Sequence, residues 1–393
     1  CAAVLSVKAL LQQYEWYAYL PYAFLHPWAL QIQGTVLILL AIGWSALRIG
    51  VKSAKFDQLK FVEHLVDSRW AVDRVVSWVV LIGFVLLAIY GALSGVTREL
   101  TAQGVDNPAW NIAGFPHQEA FSVSSWILLG FIILAMLANA WERRRAVYVL
   151  GAVVALSTIC PLLAGRFETD IATGSAWRWL GALFLLLASL PILFRDQVFG
   201  WIRSFGWPPT DISDAELARR IRVSLLASTL VPLIILTAYP ALRAIYYMPV
   251  HGPASGFFHF LDDSFSYGAP LVIVALVIIG YAVRERLPVY ALAAGFFFNI
   301  TVTMSYLLSV VAVNGSMNRV VFVQALQLNA IAAAIYGMIW LRTRSRWFSQ
   351  LDETTSTIAR DLMRIQIGIA IAINALLIAP VAREDEAHAH LLG

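Results

Sequence analysis

Between short charged clusters, this chain runs for about twenty residues at a time with at most one Asp, Glu, Lys or Arg, which is the length a helix needs to cross a bilayer. The runs recur along the whole chain, at about 30–48, 76–95, 122–141, 146–164, 177–194, 223–242, 269–283, 288–313, 319–341 and 364–381. No other feature constrains the fold so strongly. Hydrocarbon offers backbone N–H and C=O groups no partners, so each run must close its own hydrogen bonds as a helix. Composition agrees: 60% of the 393 residues are hydrophobic and only 13% are charged. Soluble domains carry about 25% charged residues. The expected fold class is an all-α integral membrane protein of about ten transmembrane helices.

Lys and Arg orient the runs. One set of connectors carries Arg48, Lys52, Lys55 and Lys60, then Arg143, Arg144 and Arg145, then Arg195 and Arg203, then Arg219, Arg220 and Arg222. The same set continues with Arg284 and Arg286, and with Arg342, Arg344 and Arg346. The opposite set is nearly free of both residue types. The first set is expected to be cytoplasmic, with both termini outside, and a bacterial inner membrane fits this pattern. The net charge of +4 is accounted for by these flanking residues, so no nucleic-acid partner is expected. Two cytoplasmic connectors mix Trp and Phe with Arg, as in FRDQVFGWIRSFGWPP and at the start of RTRSRWFSQLDETTSTIARDLMR. These read as amphipathic helices lying in the interface. DISDAELARR opens with Asp and Ser residues suited to cap a helix, with Glu shortly after.

The sequence also repeats itself. GFPHQEAFSVS (114–124) and GFFHFLDDSFS (256–266) share Gly, Phe, His, Ser and Ser at an offset of 142. RAVYVLGA overlies LPVYALAA at the same offset, YGAL pairs with YPAL at 149, and ALQIQ recurs as ALQLN 296 residues later. A tandem parallel repeat of a four-helix unit is expected. The divisions it implies are an N-terminal segment with the first span and an amphipathic linker (1–75), a first repeat (76–222), a second repeat (223–362), and the last span with a polar tail (363–393).

Residues with chemical potential are few. His26, His117, His251, His259, His388 and His390 all fall on the outer side, and only His64 is cytoplasmic. His117, Glu119, His251, His259, Asp262 and Asp263 form a candidate outer-loop polar or metal site, since His and carboxylates together suit zinc or another divalent ion. None stands at the H-E-x-x-H spacing, and interfacial histidines hydrogen-bonded to the backbone are the favoured reading of His117 and His259. The spans read as lacking ionisable groups, which argues against proton relays and ion coupling. Uncharged polar residues do occur there, with Gln31, Gln33, Asn299, Gln327, Asn329 and Asn374 as candidate intramembrane contacts. Pro161, Pro191, Pro232, Pro240 and Pro270 are candidate kinks or span ends. Most of the fourteen tryptophans lie near span ends, as an aromatic belt does.

Cys160 sits within a span, and Cys1 is a candidate lipidation site if a lipoprotein signal precedes it. No nucleotide loop, nucleophile elbow or dinucleotide fingerprint is present, so no cofactor is required. The expected function is a non-catalytic membrane subunit, scaffold or accessory component in contact with lipid and with other subunits or copies of itself. A transporter or flippase for a neutral or lipidic substrate is the alternative. An outward-facing enzyme built on His259, Asp262 and Asp263 ranks third.

Overall fold

A computed structural model describes residues 27–53, 72–101, 121–167, 172–206, 211–245, 256–261, 263–285, 288–314 and 319–347, together with the single positions 357, 361, 364, 365, 368 and 372. Every regular element among them is helical. In chain order these are α1 (Pro27–Ser53), α2 (Val72–Thr101), α3 (Val123–Arg143), α4 (Ala146–Ser157), α5 (Ile159–Ala164) and α6 (Thr173–Leu193). They continue with α7 (Arg195–Ser204), α8 (Asp214–Ile245), α9 (Asp263–Glu285), α10 (Pro288–Asn314) and α11 (Arg319–Trp347). Short 3-10 turns follow α5 and precede α9.

Nine segments among the described residues are long and apolar enough to cross a membrane, and they coincide with the first nine apolar runs. The tenth, 364–381, falls largely outside the described residues. α2 shows what kind of helix these are. Leu81, Phe84, Ala88 and Ala92 are buried, while Val75, Val79, Ile82 and Leu86 are exposed. Both faces are apolar, so the outward face suits hydrocarbon and would be costly in water. The molecule is a multi-pass helical membrane protein.

Two local features shape the spans. The fourth run is broken at Thr158 into α4 and α5, three residues before Pro161. Proline supplies no N–H for the carbonyl four residues back, and its ring crowds that turn. The Ser157 and Thr158 hydroxyls donate to the carbonyls of Val154 (2.7 Å) and Ala155 (2.6 Å), which eases the break. α3 ends at Arg144, a non-glycine residue in the left-handed region (φ 54°) whose N–H donates to Ala140 O at 2.9 Å. Asp211 fastens this turn from a distant connector. Its N–H donates to Arg144 O at 2.6 Å, and its Oδ1 accepts from Ala146 N–H at 2.9 Å. α8 begins as DISDAELARR suggests: Ser213 Oγ accepts from Glu216 N–H at 3.3 Å.

The chain gathers into two compact units: it passes to the second within α6 after Trp177, returns to the first from Phe194, and passes to the second again within α8 after Leu230. In the first, α1 packs on α3 and α3 on α4, around buried Ile38, Ile132, Met136, Ala152 and Ala155. In the second, α9 packs on α10 and α10 on α11. Ala282, Ala291 and Trp340 form one core cluster there, and Leu307, Val321 and Ala325 another.

Candidate functional site

The outer-loop candidates lie mostly outside the described residues: His117, Glu119, His251 and Asp262 do, as does Cys1. Asp263 is described only as the first residue of α9. His259 opens the 3-10 turn before α9 and is exposed, with its ring 6.1 Å from that of Phe260. Among the described residues no group of three His, Cys, Asp or Glu side chains is placed to hold a metal ion.

The intramembrane candidates separate. Gln31 is fully buried near the start of α1, and its Oε1 accepts from the hydroxyls of Ser122 (2.8 Å) and Ser124. Asn329 donates to Thr303 Oγ1 at 2.9 Å and to Asn299 O at 3.4 Å, so α11 is tied to α10. Asn299 is itself buried. Gln327 is exposed. Two residues along a helix is about 200° of rotation, so Gln327 and Asn329 cannot share a face. Gln33 is partly buried, and Asn374 lies outside the described residues.

The expectation that the spans hold no ionisable groups is overturned. Arg48, Asp73, Glu99, Arg178 and Arg222 are all buried. Two of these buried charges, Arg48 and Asp73, meet the Glu142 carboxylate where α1, α2 and α3 come together. Arg48 pairs with Asp73 through both carboxylate oxygens and with Glu142 Oε2 at 3.2 Å, and Ser45 joins the cluster. Arg48 and Asp73 are both 2% exposed at the side chain. Glu142 also lies 3.5 Å from Arg143. A guanidinium shared by two carboxylates replaces the lost water at each group and joins three helices at one point.

Glu99 makes a second junction. It stands near the end of α2, 1% exposed, and accepts from the N–H groups of Gly174 and Ser175 and from Ser175 Oγ (2.6 Å). Those N–H groups belong to the first turn of α6, which has no partners of its own and carries positive partial charge. Glycine permits the approach, because a Cβ at Gly174 would fall 2.9 Å from Glu99 Oε2.

Arg178, one turn further into α6, is the charge placed deepest in an apolar run. It is 2% exposed. Its guanidinium carbon lies 3.9 Å from the ring centre of Tyr267, and its nitrogens stand 3.4 Å from Leu236 O and 3.5 Å from Ser266 Oγ. A cation over an aromatic face keeps part of its stabilisation without water. The sequence signal was present in AWRWLG, but an Arg between two tryptophans looks like the edge of a span. α6 starts at Thr173, which puts Arg178 inside the helix.

Among the described residues, nine helices long and apolar enough to span a membrane, with outward apolar faces, define the class as a multi-pass helical membrane protein. No family model, curated protein or solved structure matches the chain.

Proposed function

We propose that this chain is a non-catalytic membrane subunit, a scaffold or accessory component of a larger assembly. The observation that carries the reading is how its buried polar side chains are used. Arg48, Asp73 and Glu142 join α1, α2 and α3, and Glu99 joins α2 to α6. Tyr281 donates to Ser189 at 2.6 Å, and Tyr336 donates to Ala291 O at 2.5 Å. Each holds helix to helix, as expected of a rigid scaffold. The arginine-rich connectors face the cytoplasm in this reading, with both termini outside a bacterial inner membrane.

The duplication belongs to the same proposal. Ser124 meets Gln31 of α1, and Ser266, 142 residues later, meets Arg178 of α6. Equivalent serines thus meet the helix that precedes each copy. α7 is taken as an interfacial helix, since none of its residues is buried and Trp201 and Phe205 are largely exposed.

Native mass spectrometry of the protein extracted gently from its own membrane tests the proposal. Other subunits at fixed stoichiometry are expected. A chain that flies alone, or as copies of itself with retained lipid, overturns it in favour of a transporter for a neutral or lipidic substrate. One observation favours that second reading: Arg178 on Tyr267 puts a buried cation inside a span, where charge often marks a substrate path.

A further inference from the structure

The turn between α3 and α4 carries three consecutive arginines, Arg143 to Arg145. Arg143 is beside Glu142. Arg144 and Arg145 are exposed, and among the described residues neither forms an ion pair. Arg74, near the start of α2, joins them. Its side chain is partly buried, and its Nε is shut off from solvent with no hydrogen-bond partner among the described residues. Tyr148 stands three residues after Arg145, in the first turn of α4, and Arg74 stands one turn before Trp78 on α2. The Tyr148 ring is buried, with its centre 6.3 Å from that of Trp78. The nearby carboxylates are already engaged. Asp73 and Glu142 hold Arg48, and Asp211 fastens the turn through the Ala146 N–H.

We propose that Arg74, Arg144, Arg145 and Tyr148 form a binding site for the phosphodiester headgroup of an anionic phospholipid in the arginine-rich leaflet. The chemistry fits that ligand. Guanidinium groups match phosphate oxygens in pairs, and the phenol hydroxyl is a further donor. The site lies at the ends of two membrane helices, the depth at which headgroups sit, and basic pockets between such helices hold lipid phosphates. The turn is preorganised: Asp211 and the left-handed Arg144 fix its backbone before a ligand arrives. The site depends on the membrane class of the protein and stands whether or not the chain is a subunit.

The test uses the full chain in mixed micelles containing equal phosphatidylglycerol and phosphatidylcholine, with retained lipid read by native mass spectrometry. The wild type should keep phosphatidylglycerol over phosphatidylcholine. The double variant R74Q/R145Q should lose roughly tenfold in phosphatidylglycerol retention, and R74K/R145K should fall between, because lysine keeps the charge and loses the fork. Arg144→Asn serves if the double variant does not fold, since Asn tolerates the left-handed turn, and it should cost roughly threefold. Equal retention of phosphatidylglycerol by wild type and by a folded variant overturns the proposal. So does displacement of the lipid by excess inorganic phosphate, which would make this a site for small anions.

Discussion

Arg48 is one side chain with two carboxylates around it, and all three lie out of water. Removing one member leaves the others buried with incomplete neutralisation. Breaking a buried pair in this way costs about 3–5 kcal/mol. Asp73→Asn should therefore lower stability by about 3 kcal/mol, read as a fall in thermal unfolding temperature in detergent. An unchanged unfolding curve would mean the cluster contributes nothing to holding α1, α2 and α3 together. Glu99 differs, because its partners are backbone N–H groups that remain when it changes. Glu99→Gln keeps the shape and loses the charge-assisted bonds, so a smaller cost of about 1–2 kcal/mol is expected. If Glu99→Gln proves as costly as Asp73→Asn, the ionised carboxylate matters more at α6 than a capping role explains.

At the scale of elements, apolar runs and helices agree closely because hydrophobic length is read directly from sequence. The break at Thr158 was legible only as Pro161, since a proline says that a helix is disturbed nearby and not where the strain is released. The capping of α8 was legible as far as the Asp and Ser residues of DISD, because N-caps are local in sequence, and the structure uses Ser213. α7 is the element whose surroundings matter most. It begins one residue after α6 ends, so it cannot leave the end of that span. Its apolar positions Val198, Trp201 and Ile202, with Phe205 just past its end, recur at helical spacing, and Arg203 falls on the opposite side. Single nitroxide labels along α7 in reconstituted vesicles should show oxygen accessibility rising at Val198 and Ile202 and falling at Gln197, with a period of about 3.6 residues. A flat profile would remove α7 from the interface.

At the scale of the whole molecule, the candidate site was the least legible part. Outer histidines drew notice because imidazole is a common ligand, yet His259 is exposed and is joined in no metal-holding group among the described residues. The charged side chains that join helices are instead arginines and carboxylates at or near the ends of apolar runs. From sequence these are indistinguishable from ordinary flanking charges, since the positive-inside rule places arginines there for orientation alone. As a subunit, the chain should keep its partners and its assembly when His259 is changed to Ala, as read by native mass spectrometry, while Asp73→Asn should weaken that assembly. Loss of assembly with His259→Ala would direct attention back to the outer loops.

The sequence by itself determined that this is a helical membrane protein, because spanning length, the scarcity of charge within the runs and the arginine distribution are properties of residues in order. It also narrowed the cap of α8 to the Asp and Ser residues of DISD. Tertiary structure alone decided that Arg48 lies between Asp73 and Glu142, and that Glu99 caps a helix 75 residues away. It decided too that Gln327 and Asn329 part company. A charge at the end of an apolar run faces either water or another helix, and which it faces depends on how the helices turn about their axes. That rotation is set by packing between faces that are apolar all round, where hydropathy carries no signal.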